Sequence, residues 1–169
     1  VAVDIIDVDR DNMLEEIAQH NPYNTLPTLV DRELALYEPN IMMEYLDERF
    51  PHPPLLPVYP VARAHSRLTI HRIQTDWCVL ADRILEGKDA LKSRKELRES
   101  ILATVPIFNE KPLFTIVDCC IAPLLWRLGV MEIDLPDKQA RPIIKYMDRV
   151  FGRESFKSSL SDIESDMRR

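Results

Sequence analysis

The sequence predicts a small α/β domain, a proline-rich connector and then an all-helical domain. Three observations carry this. Short β-rich runs alternate with helical periods up to residue 50, five prolines fall within residues 51–60, and the apolar patterns after residue 61 have helical spacing. The 169 residues, 46% hydrophobic and 30% charged, accommodate one domain or two small ones at roughly 100–200 residues per domain. That apolar content is enough to bury a core.

Residues 1–8 are rich in β-branched side chains and lead into the acidic turn Asp7-Val8-Asp9-Arg10-Asp11, which reads as a strand entering a loop. Met13, Leu14, Ile17 and Ala18 then share one helical face over residues 13–19, and Asn21-Pro22-Tyr23-Asn24 ends that helix. The runs 28–30 and 34–37 flank Asp31-Arg32-Glu33, predicting an antiparallel hairpin with a three-residue loop. Ile41, Met42, Tyr45 and Leu46 restart a helical period, with Pro39 suited to its first turn and Arg49 to its C-terminal end. Glu44, Asp47 and Glu48 read as surface charges on that helix. Residues 1–50 thus predict strand, helix, strand, strand, helix around a small mixed sheet.

Pro51, Pro53, Pro54, Pro57 and Pro60 exclude helix and inner strand from residues 51–60, leaving an extended, stiff connector. Residues 61–169 are read as the helical domain. Ile70, Ile73, Trp77, Leu80 and Ile84 form one stripe over residues 61–85, stopping near Gly87. Residues 90–108 carry Leu91, Leu97, Ile101, Leu102 and Val105, with Pro106 as a kink near the end. Thr115-Ile116-Val117-Asp118 is a short-acid capping box opening a buried helix over residues 116–127. Residues 142–151 repeat the helical period, and Ser161-Asp162-Ile163-Glu164 is a second capping box.

Lys and Arg total 22 against 28 Asp and Glu, a formal net charge of −6, which argues against a binder that tracks nucleic-acid phosphates. The three glycines, Gly87, Gly129 and Gly152, lie too far apart to build a dinucleotide or P-loop phosphate cradle. No run approaches the roughly 20 apolar residues of a membrane span, and no secretory signal is visible at the start. Cys78, Cys119 and Cys120 are odd in number and lack metal spacing, so they read as reduced packing thiols of a cytoplasmic protein. His65 and His71 fall on different helix faces, which disfavours a metal pair. Trp77 and Trp126 read as core or interface residues, Asp118 as a cap, and the charges of residues 92–98 as a solvated face. No cofactor and no metal site is expected.

The segment Asn24-Thr25-Leu26-Pro27-Thr28-Leu29-Val30 resembles the loop-to-strand passage of thioredoxin-like domains, where the proline takes the cis form. Followed by a hairpin, a Glu38-led helix and the Thr115-x-x-Asp118 cap, it resembles the cytosolic glutathione transferase fold: a thioredoxin-like N-terminal domain plus an all-α C-terminal domain. Residues 45–63, including Phe50-Pro51-His52-Pro53-Pro54, resemble the most characteristic segment of the stringent starvation protein A family. Val117-Asp118-Cys119, residues 123–128 and residues 149–155 match that family too. The family is a bacterial, RNA-polymerase-associated branch of the glutathione transferase fold. Its pattern carries a strand and helix ahead of the position of Val1, and a few more residues between Phe114 and Thr115 and around Leu128-Gly129.

The resemblance implies two functions of different class. As a glutathione transferase, the protein would hold a glutamyl carboxylate with an acidic residue followed by serine at a helix N-terminus. Here that pair is Glu38-Pro39, beside Leu26-Pro27, and proline removes both the hydroxyl and one N–H. These four positions read as a degenerate ligand site, and no catalytic residue is assigned. As an adaptor, the protein would touch RNA polymerase holoenzyme through Pro51, His52, Pro53 and Tyr59, because a rigid proline segment loses little entropy on docking. From physics alone a stiff strap without a partner is the better account of the prolines, and it is the resemblance that favours the adaptor. Phe50 is expected to pack. The resemblance implies a non-catalytic homodimer regulating transcription in starvation, stationary phase and stress by protein–protein contact, without direct sequence-specific DNA reading.

Overall fold

The computed structural model describes residues 3–8, 15–108 and 113–168, which fall into two compact units, Val1–Leu56 and Pro57–Arg169. In the first unit, α1 (Glu15–His20) precedes a hairpin of β1 (Leu29–Asp31) and β2 (Leu34–Leu36), followed by α2 (Pro39–Arg49). Among the described residues the sheet is this antiparallel pair alone, not the mixed sheet expected, with Leu29 opposite Leu36 and Asp31 opposite Leu34. That register makes the loop two residues, Arg32 and Glu33, rather than three. Asp31 joins the ladder because Tyr45 of α2 donates its hydroxyl to Asp31 Oδ2 at 2.6 Å, and Arg49 Nε stands 3.8 Å from the same oxygen. The predicted strand near the start is also corrected. Residues 3–8 form no ladder, and Ile5 and Ile6 are exposed, because β-branched composition makes no strand without a neighbour to pair with. Met13, Leu14 and the turn at residues 9–11 lie outside the described residues.

Among the described residues, the regular structure of the second unit is all helical. Its first helix, α3 (Pro60–Arg72), passes through a π-helical segment (Ile73–Cys78) into α4 (Val79–Leu85). Pro60 therefore belongs to the first turn of a helix, where its missing N–H costs nothing, rather than to the connector. The predicted stripe is buried at Ile70, Ile73, Trp77 and Ile84. α5 (Ala90–Ala103) stops at Thr104, and Pro106 sits in the first turn of a separate short helix, α6 (Val105–Phe108), instead of kinking a longer one. α7 (Ile116–Trp126) is apolar on nearly every face and forms the centre of this unit, burying Ile116, Val117, Ile121, Ala122, Leu124 and Leu125. α8 (Asp137–Phe151) begins five residues before the predicted start, so Pro142 lies inside it. Two short helices, α9 (Glu154–Lys157) and α10 (Asp162–Asp166), follow, the latter opened by Ser161 with its capping box intact.

The core of this unit gathers Leu97, Ile101, Leu125, Ala140 and Ile143, all fully buried. Each of the larger side chains contributes roughly 1.5–3 kcal/mol from burial. Two arginines of the face read as solvated do more than that. Arg94 donates from Nε to the Met131 carbonyl at 2.8 Å and pairs with Glu132 at 2.9 Å, while Arg98 Nε reaches the Asp134 carbonyl at 2.8 Å. They fasten the turn after α7, whose Leu128, Met131 and Ile133 are buried. At the other end of α7, Trp126 donates to the Glu164 carbonyl at 2.8 Å and meets Phe151 and Phe156 edge-on, while Arg127 pairs with Glu164.

Asp118 is a buried polar side chain that makes three hydrogen bonds in the core of this unit. It is 2% exposed, accepts the Thr115 backbone N–H at 2.6 Å and hydroxyl at 2.9 Å on one oxygen, and the Tyr146 phenol at 2.6 Å on the other. Burial, then the bond to Asp118, raises the Tyr146 phenol well above its ordinary value, so it stays a donor. Asp118→Ala would orphan an N–H at the helix start and the Tyr146 hydroxyl together. We expect a loss of about 2–4 kcal/mol in urea denaturation, more than a surface cap gives, and a smaller loss for Tyr146→Phe.

Cys78, Cys119 and Cys120 are free and half-buried. Burial, then the neighbouring Cys78 and Cys119, pushes the Cys120 thiol from 9.0 up to about 12. A thiol whose ionisation is suppressed by folding adds stability that is complete below pH 9 and is lost as pH rises towards the folded value. Cys120→Ala should therefore narrow the difference in urea stability between pH 7 and pH 10. An unchanged difference would place the loss on another group.

Candidate functional site

Two groups of candidate residues lie in the first unit, and each is set by polar side chains that hold the backbone. The loop after α1 is organised by Asn21, which is fully buried. Its amide donates to the Thr25 carbonyl at 2.8 Å and to the Thr25 and Thr28 hydroxyls at 3.1 Å, and its oxygen accepts the Tyr23 N–H at 3.0 Å. This single side chain supplies the hydrogen bonds that an irregular loop cannot make with itself. It shapes the turn leading to Leu26-Pro27, whose peptide bond is cis, as the motif predicts.

The hairpin register carries this loop to one end of the sheet, and the chain leaves β2 at the same end through Tyr37 into Glu38-Pro39. Leu26-Pro27 and Glu38-Pro39 thus flank the same end of the hairpin, where the Tyr23 and Tyr37 rings lie 5.4 Å apart. Glu38 is the N-cap of α2 in extended conformation, with no capping bond from its side chain, and Pro39 occupies the first helical position. All four residues are exposed. Between them they offer one carboxylate and no hydroxyl.

The second group begins where α2 ends. The Phe50 N–H closes the last turn onto the Leu46 carbonyl at 2.9 Å, and the His52 N–H turns back to the Phe50 carbonyl at 2.9 Å. Asp47 then holds the following residues: Oδ1 accepts the Leu55 N–H at 2.6 Å and Oδ2 the Leu56 N–H at 3.0 Å. Asp47 is therefore a structural acceptor rather than the surface charge expected from its helix position. With Leu56 buried beneath, Pro51, His52, Pro53 and Pro54 stand out as consecutive exposed residues. The His52-Pro53 bond is also cis. Phe50, expected to pack, is 43% exposed, and its ring lies beside the Arg49 guanidinium at 5.3 Å.

Tyr59 belongs to the second unit. It is the N-cap of α3, 78% exposed, flanked by exposed Val58 and Val61. Pro51, His52 and Pro53 are thus brought together by the α2 terminus, whereas Tyr59 is displayed separately. Asn21 and Asp47 were missed as organising residues. An Asn ahead of proline at a helix end is a legible turn signal, but nothing local in the sequence marks Asp47. Among the described residues no cluster of His, Cys, Asp and Glu could hold a metal ion, and no helix is long and apolar enough to cross a membrane.

Comparison with known proteins places this geometry. The family model for the glutathione S-transferase N-terminal domain matches residues 1–54. Among solved structures, the Tau class glutathione S-transferase of mango (Mangifera indica) superposes with a TM-score of 0.84 at 20% identity, over 99% of this chain and 85% of that one. Glutathione transferase Omega 3C of Trametes versicolor superposes with a TM-score of 0.78 at 20% identity, over 92% and 76%. The fold is therefore that of the glutathione transferases, with a thioredoxin-like first part and a helical second part. Sequence relatives narrow it. The stringent starvation protein A homolog of Coxiella burnetii is 49% identical over 99% of this chain and 84% of its own length, and that of Pasteurella multocida is 51% identical over 90% and 76%. The chain belongs to the stringent starvation protein A family.

Asp47→Ala should destabilise the first unit by about 1–3 kcal/mol, since two buried-side N–H groups lose their acceptor. The diagnostic measurement is hydrogen exchange, with protection falling at the Leu55 and Leu56 amides before any other site in the unit. Unaltered protection there would show that Asp47 does not hold the segment.

Proposed function

We propose that this protein is a non-catalytic adaptor that associates with RNA polymerase holoenzyme and regulates transcription in starvation, stationary phase and stress. One observation carries this reading: Pro51, His52 and Pro53 are presented together at the end of α2, exposed, between the His52 N–H bond to the Phe50 carbonyl and the Asp47 carboxylate that holds Leu55 and Leu56 just after them. Surfaces whose shape is set before docking lose little entropy on binding. The His52 imidazole makes no hydrogen bond to the described residues and remains available to a partner. Membership of the stringent starvation protein A family, which residues 45–63 resemble, supports this choice of partner. Tyr59, exposed in the second unit, is a separate candidate contact, and the net charge of −6 favours protein contact over DNA reading. The protein acts as a homodimer in the cytoplasm.

A second reading, transfer of a thiol ligand, draws on the glutathione transferases that share the fold. Pro39 weighs against it. At the start of α2 a glutathione carboxylate would need a hydroxyl and an N–H, and proline supplies neither. The absent groups cost about 1–3 kcal/mol each in a closed site.

The test is co-elution of the full-length protein with purified RNA polymerase holoenzyme, beside a variant with Pro51, His52 and Pro53 replaced by alanine. The native protein should bind, and the variant should bind at least roughly tenfold more weakly while unfolding at the same urea concentration. Failure of the folded native protein to bind would overturn the adaptor reading. Unfolding of the variant would identify the segment as a structural strap.

A further inference from the structure

The helical unit contains a half-open cavity of about 80 Å³ that the proline surface does not use. A cavity needs roughly 10–15 Å³ to hold one water, so the space exceeds a packing defect. Its apolar walls are half aliphatic and half aromatic: Ile73 and Trp77 from the π-helical segment, Phe108 from α6, Val117 and Ile121 from α7, and Tyr146 from α8. π-helical turns recur at functional sites because the wider turn displaces a side chain from its α-helical position. Here that turn sets Trp77, which is pinned by its indole N–H to the Ser100 hydroxyl at 2.8 Å.

The polar groups around the space define what it accepts. Asp118 accepts three hydrogen bonds, one of them from the Tyr146 hydroxyl, whose proton is thereby committed. Thr69 and Thr104 also line the cavity, and their hydroxyl protons go to the carbonyls of His65 at 2.9 Å and Ile101 at 2.7 Å. Each threonine oxygen keeps lone pairs and no proton to give, so it can only accept. At the rim Arg72 and Asp76 stand 4.0 Å apart, both well exposed, and offset one another. Such a rim selects neither anions nor cations.

The geometry points to a binding site for a small neutral aromatic molecule carrying a hydrogen-bond donor, a monocyclic phenol, its ring against Trp77 and Tyr146 and its hydroxyl donating to Thr104. A polar ligand without a ring forfeits the walls, and a carboxylate meets acceptors inside and one hydroxyl donor, that of Ser100. The site lies wholly within the second unit and is independent of the polymerase-binding reading.

The probe is phenol, titrated into the full chain and followed by NMR, with benzene as the comparison. Saturable shifts should concentrate on the Trp77 indole N–H and the amides of residues 104, 117 and 121, with phenol bound more tightly than benzene. Ile121→Phe, which fills the space, should abolish saturation while the spectrum stays folded. Thr104→Val keeps the shape and removes the acceptor. It should lower the phenol-to-benzene affinity ratio roughly 3- to 10-fold, and it decides the question if Ile121→Phe fails to fold. Absence of saturation in the native protein, shifts scattered over the surface, or an unchanged ratio in Thr104→Val would overturn the assignment.

Discussion

The buried carboxylate of Asp118 is the constraint on which the helical unit depends. The start of α7 presents unpaired N–H groups to an apolar interior, and water cannot reach them there. Asp118 answers that need at Thr115 and, with its second oxygen, takes the Tyr146 hydroxyl, so one side chain closes a helix end and ties α7 to α8. The tie fixes the rotation of the central helix, and with it the faces that Ile121 and Leu125 present to the core. Arg94 and Arg98 complete the arrangement from outside by holding the carbonyls of the turn that follows α7.

The first unit follows the same logic with less apolar surface to draw on. Its hairpin is three residue pairs long, short of what stands alone in water. Three side chains compensate: Asn21 holds the entering loop, Asp31 binds the hairpin to Tyr45 and Arg49, and Asp47 gathers the segment after α2. All are ordinary polar residues, and each replaces hydrogen bonds that a longer sheet would have made with itself. Arg32 sits in the turn at φ 58°, a conformation that side chains seldom adopt, and the pairing of Asp31 with Leu34 leaves the chain little alternative.

Legibility in the sequence tracks the distance over which each signal acts. The stripe at Ile70, Ile73, Trp77 and Ile84 was readable because helical periodicity is local, and so was the capping box at Thr115. The π-helical turn was not, because Ile73 and Trp77 keep a spacing that an ordinary helix also satisfies. The hairpin loop was misjudged by one residue because Asp31 has the chemistry of a turn residue, and only Tyr45, far along the chain, draws it into the ladder. The exposed prolines were plain from composition. That Asp47 shapes their surface was hidden, because its two donors lie eight and nine residues away and no periodic rule connects them. The stretch at residues 3–8 shows the converse, a composition suited to a strand that pairs with nothing among the described residues.

The segment of residues 51–57 has one more property, which follows from counting its donors. Four of the seven residues are prolines, leaving main-chain N–H groups only on His52, Leu55 and Leu56. All three are already committed, the first to the Phe50 carbonyl and the others to Asp47. The backbone of this stretch therefore faces its surroundings as an acceptor alone. It cannot be drawn as an extra strand into a neighbouring sheet, which demands donors and acceptors in alternation. Any molecule that hydrogen-bonds to its backbone must bring the N–H or O–H groups, so the stretch can lie exposed without inviting the indiscriminate edge-to-edge pairing that an open backbone of mixed polarity attracts.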